Sequence, residues 1–370
     1  MNRQKNAIFL ACKPRRQPFV LSLMRMHTKK GENPHSGTPG ELALLRRIRS
    51  RAAATLGGGL RLGIGDDCAL LRPRPGEELA VTTDFSIEGR HFRLDWHQPE
   101  SIGHRALARG LSDLAAMGAR PVAAFLSLGL PRELTVTLGR RRAWVDRFYD
   151  GLFALAHAHH TPLAGGDFAE SPIAIADIVL IGAVPRGRAL LRSGARPGDL
   201  LYVTGSLGGA AAGLERLGQL AGRSKAASAP PAIPARLRAV LQPHLQPQPR
   251  IAQGLWLQRR ARATAALDIS DGLSTDLAHL CEESHVAAEV DAAALPMHPA
   301  ATLDQALHGG EDYELLFTAA ARARLPRSIA GVAVTRIGRI VAAVPGRPPI
   351  TLLTAQGPRP LVPHGWQHFA

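Results

Sequence analysis

Leu111-Ser112-Asp113-Leu114-Ala115-Ala116-Met117-Gly118-Ala119 decides how this chain is read. Ile102, Ala106, Leu107, Leu111 and Leu114 recur at helical spacing, which predicts a helix over residues 101–117. Ser112 and Asp113 then sit inside an apolar helix. A buried carboxylate without a partner is costly, so Asp113 calls for a cation or a donor beside it. Four more clusters pair Asp with Gly, Ser or Thr: Gly65-Asp66-Asp67, Thr82-Thr83-Asp84, Gly166-Asp167 and Asp268-Ile269-Ser270-Asp271-Gly272. One such cluster would be a helix cap. Five in one chain point to a shared site of hard oxygen ligands. Crowded carboxylates repel and raise each other's pKa unless a cation lies between them. Mg²⁺ suits carboxylates, hydroxyls, water and substrate phosphates, so a Mg²⁺-nucleotide enzyme is expected.

Around that helix the pattern alternates. Leu79-Ala80-Val81-Thr82-Thr83 reads as a strand entering Asp84, residues 125–130 and 175–184 as further strands, and 41–54 and 144–159 as helices. Strands are also expected at 200–204, 313–318 and 332–340, with a helix at 273–281. This is an α/β or α+β pattern. A run of turn residues at 192–199 marks a boundary, giving an N-terminal domain over 40–190 and a C-terminal one over 191–370. Residues 221–236 read as a flexible insertion. Residues 1–39 read as a disordered basic extension or as sequence upstream of a later start, with Met24 and Met26 as candidates. Their Arg-rich, acid-free composition also fits a transit peptide.

Composition narrows the class. With 370 residues, 45% hydrophobic and 20% charged, the chain fits a soluble two-domain protein. Three widely spaced cysteines (Cys12, Cys68, Cys281) argue for a reducing compartment, hence the cytoplasm, and against a disulfide framework or a zinc site. No apolar run approaches the about 20 residues of a membrane helix. The formal charge of +15 is partly local, since eight basic residues and no acid precede Glu32. No recognition motif accompanies it, so an anionic small substrate explains the charge better than nucleic acid.

The chain has no P-loop. Gly63-Ile64-Gly65-Asp66-Asp67-Cys68 lacks the last glycine of a dinucleotide fingerprint. Gly205-Ser206-Leu207-Gly208-Gly209 either offers N–H groups to phosphate or is simply a tight strand-to-helix turn. His157, His159 and His160 read as a solvated helix end, Asp66 as a turn residue, Cys68 as a small buried residue, and Asp271 as a helix cap that also binds.

Several strings, in order, resemble the thiamine-monophosphate kinase family. They are Gly63-Ile64-Gly65-Asp66-Asp67-Cys68-Ala69-Leu70-Leu71, Thr82-Thr83-Asp84 with Glu88-Gly89-Arg90-His91-Phe92, the Leu111–Ala119 string, Gly165-Gly166-Asp167, Leu191-Arg192-Ser193-Gly194-Ala195, Asp268-Ile269-Ser270-Asp271-Gly272-Leu273 and Gly309-Gly310-Glu311-Asp312-Tyr313-Glu314-Leu315. The resemblance implies the two-domain aminoimidazole-ribonucleotide synthetase-like fold. Its N-terminal sheet domain is used for dimerisation, giving a homodimer, and its C-terminal domain is α/β. It implies direct in-line transfer of the γ-phosphoryl group of ATP to thiamine monophosphate, the final step in making thiamine diphosphate. Asp67, Thr82, Thr83, Asp84, Asp113, Asp167, Asp268 and Asp271 would hold several Mg²⁺ ions, with Asp113 and Asp271 nearest the chemistry. Gly166, Asp167, Arg192, Ser270 and Tyr149 would meet ATP. His91, Glu311 and Trp366 would face the cationic thiamine moiety. The chain departs from the family at Phe168-Ala169-Glu170, where Thr-Thr and a polar or basic residue are usual, and at His308. Another ATP-using enzyme of the same superfamily, acting on a different acceptor, is the alternative; a binding protein without catalysis is the other.

Overall fold

A helix buried on nearly every face lies between two mixed sheets. In this computed structural model, residues 41–52, 59–137, 142–222, 229–260 and 262–366 are described. The expected basic extension, Cys12, Met24 and Met26 lie outside them, as do 223–228 of the expected insertion. Every described residue belongs to one unit, Thr38–Ala370.

The N-terminal half runs α1 (Glu41–Ala52), β1 (Leu60–Leu62), β2 (Leu70–Leu71), β3 (Glu77–Ile87), α2 (Pro99–Ala116), β4 (Arg120–Leu130), α3 (Trp144–Ala158), β5 (Leu163–Glu170) and β6 (Ile175–Pro185). Its sheet has the order β3-β6-β4-β5, antiparallel except for the parallel β4–β5 pair. The C-terminal half runs β7 (Leu200–Thr204), α4 (Gly209–Ala221), α5 (Arg238–Leu245), α6 (Ile251–Arg260), β8 (Ala265–Ile269), α7 (Leu273–Ser284), β9 (Val286–Asp291), α8 (Leu303–His308), β10 (Glu314–Ala319), β11 (Ser328–Ile329), β12 (Val332–Ala342), β13 (Ile350–Thr354) and β14 (Gly357–Pro360). Its sheet has the order β14-β13-β9-β12-β7-β10-β8, with β11 beside β12 and only β13–β9 parallel among the paired strands described.

Helix α2 begins two residues before the expected start, because Pro99 occupies the first turn, where its missing N–H costs nothing. It is buried on nearly every face: it packs on β3, β4 and β6 on one side and on β8 and β10 on the other. Helix α3 crosses it at very short range. A Cβ on Gly103 would lie 1.9 Å from the Phe148 carbonyl oxygen, and one on Gly151 would lie 1.8 Å from that of Glu100. Only glycine at both positions permits the crossing. A core runs from α1, α2 and α3 through the first sheet to Leu257, Leu315 and Phe317; a second, centred on Leu201, Leu267 and Ile337, fills the C-terminal half.

From Leu79 onward strand β3 alternates. Ala80, Thr82, Asp84 and Ser86 turn toward α2, while Leu79, Val81 and Phe85 stay 46%, 64% and 57% exposed on the outer face. Part of that outer face is covered by Leu60 and Leu71 of the β1–β2 hairpin. Cys68, expected to be buried, is exposed, because it lies in the open loop between Asp67 and β2.

Candidate active site

The inward face of β3, the buried face of α2 and the end of β8 bring three carboxylates to one wall of a cavity of about 520 Å³. These are Asp84, Asp113 and Asp268. Thr82 Oγ1 donates to Asp113 Oδ2. Ser112 Oγ donates to Asp268 Oδ2 at 2.6 Å. Arg109, one helical turn before Asp113, places its Nε 3.8 Å from Asp84 Oδ1. Burial, and then the charge of Asp113 on Asp84 and of Asp268 on Asp113, push both carboxyls up to about 6. Burial also pushes Asp268 up to about 6, partly offset by the Ser112 hydroxyl. Asp84 Oδ2 is buried with no hydrogen-bond partner. Oxygen-only donors, mutual repulsion and an orphaned carboxylate oxygen fit a hard divalent cation. Among the described residues, no three acidic, His or Cys side chains already converge on a single ion position.

A second wall is the 270–272 loop. Ser270 and Asp271 line the cavity. The Asp276 side chain fixes the loop, with Oδ2 accepting from the N–H groups of Ser270, Asp271 and Gly272 at 3.0–3.1 Å. Asp276 therefore does the capping expected of Asp271. Burial and neighbouring Asp268 and Asp271 push its carboxyl up to about 8, against the pull of the N–H donors. The C-terminal segment seals this wall: the Gly365 N–H donates to Thr275 Oγ1 at 3.0 Å and the Trp366 N–H to the Asp271 carbonyl at 3.1 Å. A Cβ on Gly365 would lie 2.0 Å from the Asp271 carbonyl oxygen, so glycine is required for this close seat.

The third wall comes from Glu311-Asp312-Tyr313-Glu314. Glu311 and Tyr313 both hold positive φ, 68° and 50°, which splits the acids among different tasks. Glu311 enters the cavity, where Arg105 Nη2 donates to its two carboxylate oxygens at 2.6 and 2.7 Å. Burial would raise its pKa, but Arg105 and Arg109 outweigh burial and hold it below the usual range. Asp312 accepts from the N–H groups of Gly208 and Ala210 at 2.6 and 3.0 Å. The glycine-rich turn at 205–209 is thus a strand-to-helix turn whose Gly208 N–H already meets a carboxylate, while the Gly205 and Leu207 N–H groups donate to the Ala333 and Pro296 carbonyls. Glu314 pairs with Arg250 and Thr204 in the core.

Of the residues expected at the site, Asp84, His91, Asp113, Asp268, Ser270, Asp271, Glu311 and Trp366 line this cavity. Thr82 backs it through Asp113. Thr83 points to the opposite face, as its position on a strand demands, and its hydroxyl donates to Asp177 at 2.9 Å. Asp67 lies on an exposed loop and Asp167 at an exposed position of β5, its carboxylate accepting from the Phe168 N–H; neither they nor Gly166 line the cavity. Arg192 is exposed in the segment joining the sheets, outside the lining, yet close enough for its charge to lower Asp113 and Asp268. Tyr149 is not brought to the cavity. It is 4% exposed in α3, its ring 5.7 and 5.8 Å from those of Phe148 and Phe153, because an aromatic on the inward face of an amphipathic helix goes to the core. The histidines at 157–160 cluster at the solvent side of the α3 end, as read.

Sequence reading did not find Arg105, Arg109, His97, His244, Trp96 or Asp276. The spacing of Arg105, Arg109 and Asp113, four residues apart on one helix, was the available signal.

Residues 65–184 match the AIR synthase related protein, N-terminal domain, family, and residues 196–345 match the AIR synthase related protein, C-terminal domain, family. The thiamine-monophosphate kinase of Escherichia coli (strain K12) is 39% identical over 343 residues, which are 90% of this chain and 98% of that one. The chain belongs to the thiamine-monophosphate kinase family. The crystal structure of thiamine-monophosphate kinase from Stenotrophomonas maltophilia K279a superposes with a TM-score of 0.71 at 41% identity, covering 85% of this chain and 96% of that one. A structure of AaThiL complexed with AMPPCP and TMP gives 0.68 at 30% identity, covering 89% and 97%. Asp84 and Asp113 fall in the first matched stretch and Asp268 in the second, so the carboxylate wall lies within the two family domains.

Proposed function

We propose that this protein transfers the γ-phosphoryl group of ATP to the phosphate of thiamine monophosphate, giving thiamine diphosphate and ADP. The observation that carries this reading is the pairing, in one cavity, of the Asp84–Asp113–Asp268 wall with Glu311 and Trp366. The first suits metal-bound phosphates; the second suits a cationic ring. The acceptor is a phosphate oxygen already ionised near neutral pH, so no strong general base is needed, and positioning with charge neutralisation suffices.

Asp84, Asp113 and Asp268 would hold Mg²⁺, with Asp271 near the reacting groups. When bound, the ions screen the repulsion between two anionic phosphates. Thr82 and Ser112 orient two of the carboxylates, Arg109 adds positive charge beside them, and Asp276 holds the 270–272 loop in shape. Arg192, Gly166 and Asp167 remain our candidates for nucleotide contacts outside the cavity wall, Asp67 for a further ion. We place the dimer contact on the outer face of β3, where Leu79, Val81 and Phe85 stand exposed. Cys68 and Cys281 are unpaired thiols, which fits a cytoplasmic setting, and no described helix is long and apolar enough to cross a membrane.

The test is formation of thiamine diphosphate from thiamine monophosphate and ATP, followed by HPLC with and without Mg²⁺. One ADP per thiamine diphosphate, dependent on Mg²⁺, is expected. A well-folded protein that releases no product sinks the reading and points to another acceptor.

A further inference from the structure

His244, at the end of α5, has no task in the reaction as described. It lines the cavity although its side chain is only 1% exposed. Its Nδ1 is buried and meets no hydrogen-bond partner, a costly state that a ligand would relieve. Its other ring nitrogen is occupied. Nε2 lies 2.9 Å from Nε2 of His97 and 3.4 Å from Nη1 of Arg105.

These contacts fix where the protons sit. Arg105 can only donate, so His244 Nε2 is an acceptor. The facing His97 Nε2 then carries a proton, so His97 Nδ1, which lies 3.1 Å from both the N–H and the carbonyl oxygen of Arg93, takes the acceptor role toward the N–H. Burial, and then the charge of Arg105, keep His244 well below the usual imidazole range, so the ring is neutral with one proton. That proton is on Nδ1. The Glu311 carboxylate faces it, with Oε2 3.6 Å away, beyond a hydrogen bond. An N–H donor and a carboxylate acceptor therefore stand side by side, unjoined, on one wall.

A ring edge that carries an amino group next to an unprotonated ring nitrogen matches such a pair: the amino N–H donates to the carboxylate and the ring nitrogen accepts from the imidazole. We infer that His244 Nδ1–H and the Glu311 carboxylate together read the 4-aminopyrimidine edge of the acceptor substrate, which makes His244 a specificity-determining residue. The inference rests on thiamine monophosphate being that substrate. Phe92 and Trp96 line the same cavity and supply apolar surface for the ring.

The test compares thiamine monophosphate with its 4′-oxo analogue, in which the amino donor becomes a carbonyl acceptor and the ring nitrogen becomes a donor. Wild type should favour the amino substrate by at least roughly 100-fold in kcat/KM, because the wrong edge sets a carbonyl against the Glu311 carboxylate and an N–H against the His244 N–H. H244Q keeps an acceptor for His97 and Arg105 but removes the donor at Nδ1. It should lose most of that preference and raise KM for thiamine monophosphate roughly tenfold, with KM for ATP unchanged. H244N keeps a donor near Nδ1 and loses the contact to His97; it should retain the preference. A merely structural histidine gives the reverse order, with H244Q normal and H244N impaired, and that result overturns the inference, as does a wild type that accepts both substrates equally. A wild type that converts thiamine monophosphate while H244Q keeps full selectivity sinks only this inference. A wild type inactive on thiamine monophosphate sinks the proposed function with it.

Discussion

Asp113 and Asp271 carry the sharpest expectations at the scale of single residues. Asp113→Asn and Asp271→Asn should each cut turnover by at least about 100-fold while circular dichroism stays native, because each removes a charge from a wall built to hold cations. Asp113→Asn should also raise the melting temperature of the metal-free protein, on the order of a few degrees, since the native state holds that carboxyl up to about 6. The sign follows from linkage. A carboxyl whose pKa is raised on folding favours the native state when protonated. Metal-free stability contributed by Asp84, Asp113 and Asp268 is therefore highest below about pH 4 and declines as pH rises to about 6, where it levels off. Urea titrations with EDTA across that range check this, and Asp113→Asn should flatten the decline. Asp113 was legible in the sequence because an acid inside an apolar helix demands a partner. His244 was not, because its partners, His97 and Glu311, lie 147 and 67 residues away along the chain and only the folded chain joins them.

At the scale of elements, backbone approach matters more than side-chain type. Gly151→Ala would press a methyl into the Glu100 carbonyl at the α2–α3 crossing. Overpacking of that kind costs about 1–3 kcal/mol, so thermal unfolding should shift down by several degrees. Gly365→Ala would push the C-terminal segment off the Asp271 carbonyl and displace Trp366. KM for thiamine monophosphate should rise severalfold in steady-state assays, with KM for ATP little changed. Periodicity showed α2 and α3 to within two residues, and alternation showed β3, although pattern alone ended β3 at Thr83 rather than Ile87. Strand β5 was not expected, because Gly165-Gly166 interrupt any apolar alternation there. The turn at 205–209 left two readings open until Asp312, a hundred residues on, was seen to occupy its Gly208 N–H.

For the whole molecule, the alternation of helix and strand suggested both sheets without revealing that most pairings are antiparallel, since pairing direction depends on distant partners. On the outer face of the first sheet, Leu79, Val81 and Phe85 stand exposed in one chain. Val81→Asp on that face should convert a dimer to monomer in size-exclusion chromatography with light scattering, with the catalytic cavity of each chain intact. Helix α2 has a different consequence. It is wall to both sheets and carries Arg105, Arg109, Ser112 and Asp113 between them. Neither half owns it. A chimera that joins the first half of this chain to the second half of a relative would inherit a helix tailored to a sheet it no longer meets, so a graft that keeps the fold has to carry α2 and its partners on β8 and β10 together.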